Sequence, residues 1–318
     1  MRRVMVTGAA GFIGGHIVAG LKRLGVEVVG VDLLGDGQRI VSGDVAVPGA
    51  WQQAAAGCDV VIHTAALVSF RAGLHEFHRV NVVGTHNALQ AAIAAGAERF
   101  VQLSSVTVFG NDFPDGVQET APVRPLGVPY VDTKIAGEQL VLQAHAEGRA
   151  NVTVVRPGDV YGPGSRPWVI LPLREIRRGR MVLPLGGRGI HSPVHVGDLV
   201  DGIIAAADAP QAAGQVLTLS GPRGVTNRDY FGALAALEGR RVRSAPAPLL
   251  FAAAQLAARL DPQGELTPAT IAYLMRKGTY SSERARKLIG YVPKVDLDEG
   301  IEDCRRWLTA QGMLTPAR

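Results

Sequence analysis

The chain has 318 residues, 47% of them hydrophobic, enough for one large domain or a domain with a smaller companion. Its two cysteines, Cys58 and Cys304, lie far apart without metal-ligand spacing, which argues against a disulfide scaffold or a metal site and suits a reducing cytoplasm. The net charge of +5 is spread over the chain, with short basic clusters at 174–180, 240–243 and 284–287 that read as solvated faces and not as a nucleic-acid surface.

Val4-Met5-Val6 is a short apolar run of the kind a buried parallel strand needs. It stops at Thr7-Gly8, too early for a signal peptide, and from Phe12 the apolar positions recur at helical spacing through Ile13, Ile17, Val18, Leu21 and Leu24. Gly8, Gly11 and Gly14 lie between. They permit a tight turn, close approach of the backbone to a pyrophosphate and close packing of helix on strand, while the helix N-terminus offers free N–H groups to the anion. The next run, Val26 to Val31, ends at Asp32, about the ~20 residues beyond the turn at which a carboxylate receives an adenosine ribose. A carboxylate there repels a 2′-phosphate, so NAD is expected in preference to NADP.

Further along, Arg39 to Gly43 reads as a third strand, Trp51 to Ala56 as helix-like and Asp59 to Thr64 as a fourth strand running into Ala65-Ala66. A helix is expected from Leu74 to Ala95, a fifth strand from Arg99 to Leu103, a helix from Tyr130 to Glu147 and a sixth strand from Asn151 to Val155. This alternation predicts an α/β fold, a Rossmann-type doubly wound parallel sheet with ligands beyond the carboxyl ends of its strands. Past Tyr161 the pattern loosens. The division expected is residues 1–160 as the NAD-binding domain carrying the catalytic residues and 161–318 as a smaller, interleaved, mainly substrate-binding part, with 190–220 packing back on the first. Ala245 to Leu260 is rich in Ala and Leu but too short to cross a bilayer, as is every other apolar stretch, so no integral membrane segment is expected. That segment is expected to be a lid or core helix in preference to an interfacial anchor.

Tyr130 and Lys134 are four apart on a predicted helix and so share a face. A phenol ionises near ~10, and a neighbouring ammonium lowers that value, so this tyrosine can exchange a proton with a substrate alcohol or ketone while hydride moves to or from a nicotinamide. Ser105, after the fifth strand, is placed to hold the substrate oxygen.

These pieces together resemble the extended short-chain dehydrogenases/reductases, over nearly the whole chain. The matching stretches are 7–14, Gly43-Asp44-Val45, His63 to Ala66, Asn81 to Thr85, Ser104-Ser105, Tyr130 to Lys134, Arg156 to Pro163 and Val194 to Asp198. The resemblance implies a catalytic triad of Ser105, Tyr130 and Lys134. It implies cofactor contacts from Gly8, Gly11, Phe12, Ile13, Gly14, Asp32 and Leu33, with Asp44 and Val45 at the adenine. It implies Ala65 and Ala66 beside the cofactor, Asn81 near its nicotinamide half, Lys134 on the nicotinamide ribose, further cofactor contacts from Leu103 and Tyr130, and Pro157 and Val160 at the ring. For Asn81 a structural role stays open. The helices 74–95 and 130–147 resemble the pair through which the family dimerises, which implies a homodimer.

Within the family, nucleotide-sugar enzymes usually carry an Arg where His191-Ser192-Pro193 stands and Asn where Asp159 stands, and a carboxylate at 159 would repel a substrate diphosphate. Val106-Thr107 after Ser105 lack the Asp-Glu pair of the dehydratases. The run Ser192 to Asp198 and the stretch 285–293 are more similar to the 3β-hydroxysteroid and sterol dehydrogenase branch. Val68, Phe70, Asp159, Trp168 and His191 are the substrate-site candidates, and the apolar ones suit a hydrophobic alcohol or ketone, possible as core residues equally. The expected activity is NAD-dependent interconversion of a secondary alcohol and a ketone, with a hydrophobic or steroid-like small molecule as substrate. The alternatives are a nucleotide-sugar epimerase that retains its NAD and a non-catalytic NAD sensor.

Overall fold

Val4, Met5 and Val6 form the middle of β1 (Arg3–Thr7), fully buried and paired on both sides, Val4 with Val28 on one neighbour and Val60 on the other. In the computed structural model, which describes residues 1–68, 72–260 and 266–314, this strand is central to a seven-stranded parallel sheet. The others are β2 (Glu27–Asp32), β3 (Ile40–Ser42), β4 (Val60–His63), β5 (Arg99–Leu103), β6 (Val152–Pro157) and the strand Val216–Leu219. Their order is Val216–Leu219, β6, β5, β4, β1, β2, β3. Strand order therefore reverses between β1 and β4, which opens a crevice at their carboxyl ends. The strands are apolar on both sides because helices cover both faces.

One face is covered by α1 (Phe12–Arg23) and, from far along the chain, α6 (Val196–Asp208), in a core that includes Ile17, Leu21, Leu199 and Ile203. The other is covered by α3 (Gly84–Ala94) and α4 (Pro129–Ala146), with α2 (Leu74–His78) packed against α4. The single helix expected at 74–95 is broken by a π-turn at Arg79–Val83. Val80, Val82 and Val83 resist tight helical packing, and the wider turn turns Asn81 inward. The expected helix at 51–56 is a 3₁₀ turn, Ala50–Ala55.

A second core gathers Tyr161 from the short strand Asp159–Tyr161 with Leu173, Tyr230, Phe231, Ile301 and Leu308 from α5 (Leu171–Arg177), α7 (Asn227–Ala236) and the later α11 (Leu297–Ala310). Between them come α8 (Ala247–Leu260), α9 (Pro268–Tyr273) and α10 (Glu283–Ile289). Leu250 and Ala254 of α8 are buried in a small core cluster with Ile271 of α9, and the rest of the helix is exposed or half-buried. Among the described residues no helix is long and apolar enough to cross a membrane.

Candidate active site

The crevice between β1 and β4 is shaped by glycine. Gly8 has φ +70°, and a Cβ there would lie 2.8 Å from the Ala65 nitrogen; a Cβ on Gly14 would lie 2.0 Å from the Gly8 carbonyl oxygen. Gly11 begins α1 with no side-chain cap, which leaves the first N–H groups of the helix for an anion. Phe12 and Ile13, on that first turn, are half-buried. At the end of β2 one Asp32 carboxylate oxygen accepts the Ala10 N–H at 2.9 Å, which leaves the other oxygen for a ribose hydroxyl, and Leu33 beside it is exposed. A narrow glycine turn, an uncapped helix end and a carboxylate one strand away fit a dinucleotide. Asp32→Ala is expected to weaken NADH by roughly tenfold, the loss of one hydrogen bond to a charged group, and NADPH by less. Competitive fluorescence titration checks this, and a wild-type preference for NADPH would contradict it.

Asp44 is occupied. Burial opposes its ionisation, but the Arg79 guanidinium at 2.8 Å and the Ala46 N–H hold it below the usual carboxylate range, and Arg79 also grips Glu76. What this corner offers an adenine is therefore backbone and the neighbouring Val45, not a free carboxylate. Ala65 lies directly against the glycine turn, and Ala66 follows it, half-buried. Asn81 makes structural hydrogen bonds: Oδ1 accepts the Leu67 N–H at 2.7 Å, and Nδ2 donates to Leu67 O at 3.3 Å and Thr133 Oγ1 at 3.2 Å. It ties the cofactor-side loop to α4 from within.

The three catalytic candidates converge beyond β5. Pro129 starts α4 at its first turn, where no N–H is missed, and sets Tyr130 facing the end of β5. Lys134 Nζ donates to Leu103 O at 2.9 Å and stands 5.8 Å from the centre of the Tyr130 ring. Leu103 thus serves as the anchor of the lysine. Burial pushes Lys134 from 10.5 down to about 8, partly opposed by the charge of Glu138. Burial also raises the Tyr130 phenol above its ordinary value, with the Ser105 hydroxyl working the other way. The lysine therefore does not win over desolvation in the chain alone, contrary to the lowered value expected from spacing, and Tyr130 carries its proton.

Two sets of residues around this centre escaped the sequence reading. Thr107 donates to Ser105 Oγ through its hydroxyl at 2.9 Å and its N–H at 3.2 Å, which leaves the Ser105 proton free to point elsewhere. Below Lys134, Glu138 is fully buried, taking Ser104 Oγ at 2.5 Å, Arg156 Nε at 2.9 Å and Arg156 Nη2 at 2.6 Å. The spacing of four between Lys134 and Glu138 was the available signal for the second set.

Among the substrate candidates, Asp159, His191 and Trp168 come together, the first two inside the protein and Trp168 half-buried beside them. Asp159 accepts Arg276 Nη2 at 3.0 Å, the Ser192 N–H at 2.9 Å and the Tyr273 hydroxyl. Arg276 lies 3.5 Å over the Tyr273 ring and also donates to Tyr280. Against the effect of burial, Arg276 holds Asp159 below the carboxylate range. The carboxylate at 159, expected to repel a substrate diphosphate, is thus paired, because a cation 117 residues later in the chain folds onto it. His191 is fully buried between Trp168 and Tyr230, pushed by burial to about 4 and neutral. Pro157 and Val160 are buried beside this cluster, Val68 is exposed, and Phe70 lies outside the described residues.

Residues 4–219 match the model of the NAD dependent epimerase/dehydratase family. The chain belongs to this family. It is 31% identical to the 4-hydroxy-2-methyl-3-oxo-4-farnesyl-3,4-dihydroquinoline-1-oxide ketoreductase of Stigmatella aurantiaca, over 96% of each chain. It is 30% identical to the 2-alkyl-3-oxoalkanoate reductase of Stenotrophomonas maltophilia (strain K279a), over 94% of this chain and 97% of the relative. Among solved structures, MoeE5 in complex with UDP-glucose and NAD superposes with a TM-score of 0.79 at 29% identity, covering 97% of this chain and 99% of that one. As a member of the NAD dependent epimerase/dehydratase family, the protein is an NAD-dependent oxidoreductase of the extended short-chain dehydrogenase/reductase type.

Proposed function

We propose that the protein interconverts a ketone and a secondary alcohol on a hydrophobic small molecule, with Ser105, Tyr130 and Lys134 as the catalytic residues. The observation that carries the substrate class is the closure of Arg276 on Asp159. Arg276, the buried cation of this cluster, spends its charge on Asp159 inside the protein and not on a substrate diphosphate, and His191 beside it is neutral. The two relatives above are by name reductases of ketones, one with a farnesyl and one with an alkyl substituent.

In this reading the glycine turn and the N-terminus of α1 hold the cofactor diphosphate, and Asp32 holds the ribose. When bound, NAD(H) supplies or takes up the hydride. Tyr130 gives its proton to the ketone oxygen, Ser105 donates a hydrogen bond to the same oxygen, and Thr107 keeps the serine turned that way. The Lys134 ammonium stabilises the phenolate left behind until solvent reprotonates it. Lys134 loses its charge as pH rises through about 8, so kcat/KM for ketone reduction is expected to fall above that pH, which a pH–rate profile reads. We assign residues 161–318 mainly to substrate binding, and the surface of the helical segments 74–94 and 129–146 to contact with a second copy. Two buried, unpaired thiols, Cys58 and Cys304, support a reducing cytoplasmic setting.

A second reading, a nucleotide-sugar epimerase, draws on the UDP-glucose bound to MoeE5. NADH consumption along a series of 3-oxo esters of increasing chain length, beside UDP-sugars, separates the two. Each added methylene is expected to raise kcat/KM by about fourfold until the pocket is filled. Turnover of UDP-sugars without net NADH change would overturn the proposal.

A further inference from the structure

Helix α8 is unlike the others. Of its 14 residues only Leu250 and Ala254 are buried, although the segment is composed almost wholly of Ala, Leu, Pro and Phe. Leu249, Leu256 and Leu260 are 64%, 57% and 78% exposed, and Ala252 and Ala253 are exposed between them. Positions 249, 252, 253, 256 and 260 follow helical periodicity and form one continuous apolar stripe, beside the face that holds Leu250 and Ala254 against Ile271 of α9. A stripe of this kind on a protein surface marks a contact with something apolar.

Charge says what that is. From 239 to 260 the chain carries four arginines, Arg240, Arg241, Arg243 and Arg259, and no carboxylate. All four are exposed, and among the described residues none has an ion-pair partner. Three of them precede the N-terminus of α8, where positive charge opposes the helix dipole, so they do not serve the stability of the helix. Arg259 borders the leucine stripe. An apolar face on a short helix with unpaired cations around it matches a lipid bilayer with anionic headgroups, on which such a helix lies flat with its apolar side sunk to the acyl boundary.

We propose that the Leu249–Leu260 face of α8, with Arg240, Arg241, Arg243 and Arg259, docks the protein on the surface of an anionic membrane. This departs from the lid or core role expected for the segment from its sequence. The docked helix packs on α9, whose Tyr273 reaches Asp159, so the membrane contact is joined by packed elements to the candidate site. The inference does not rest on the substrate reading, since docking needs no turnover.

Flotation of the full chain with vesicles tests it, using phosphatidylcholine alone or with about 30% phosphatidylglycerol, at about 0.1 M and about 1 M salt. The wild type is expected to float with the anionic vesicles at low salt and to be released at high salt. Replacing Arg240, Arg241 and Arg243 with Gln should lower partitioning on the order of a hundredfold. Replacing Leu249, Leu256 and Leu260 with Gln should abolish it, with NADH binding retained in both variants as proof of folding. Equal binding to neutral and anionic vesicles, or no binding, overturns the proposal. So does self-association of the wild type that the leucine variant abolishes, since a second copy would then cover the face.

Discussion

Tyr130→Phe is expected to reduce kcat by roughly 10²–10⁴-fold, the range a positioned proton donor contributes, while NADH affinity stays within about twofold of wild type. The ring is kept, so its packing against Phe77 and beneath Lys134 persists. Only the proton is lost. The burial that raises the phenol above its ordinary value keeps it protonated at neutral pH, so the loss is expected first in ketone reduction. Stopped-flow measurement with NADH and a hydrophobic ketone separates binding from turnover. A variant that keeps more than about a tenth of wild-type kcat would remove Tyr130 from the proton transfer.

Glu138→Ala is expected to lower stability by about 3–5 kcal/mol, because Arg156 stays buried without its partner. Arg156 has few alternatives, with Nη1 already lacking a partner among the described residues and its plane resting 4.8 Å over Phe109. Urea unfolding reads this change. Removing both charges, as Glu138→Leu with Arg156→Met, should recover most of the loss, since a well-packed apolar pair replaces a buried ionic one at small cost. Glu138→Gln carries a separate signature. It removes the negative charge that holds Lys134 up, so the alkaline fall in kcat/KM should move below about pH 8. A purely structural Glu138 would leave that limb where it is.

The sheet was legible because buried parallel strands are short apolar runs bounded by turns, as at Val4–Val6 and Val60–Ile62. The glycine turn was legible for a related reason: Gly8 and Gly14 stand where a Cβ has no room. Local spacing also put Tyr130 and Lys134 on one side of α4. What spacing does not carry is desolvation. The raised phenol, the lowered lysine and the neutral His191 follow from how much protein surrounds each group, which depends on the whole fold. Long-range pairs were out of reach too. Nothing near Asp159 announces Arg276, and nothing near Arg156 announces Glu138. The π-turn at Arg79–Val83 was hidden because a valine-rich stretch inside an apolar helical pattern reads as plain helix.

The central claim is that a substrate ketone and the cofactor exchange one hydride, with net change in both. Reduction of a hydrophobic 3-oxo ester with NADH deuterated at the transferring nicotinamide position, followed by mass spectrometry of the product, tests it most directly. The expected product is an alcohol with one deuterium at the carbinol carbon for each NADH consumed. An unlabelled product, or turnover that leaves the NADH pool unchanged, would contradict it.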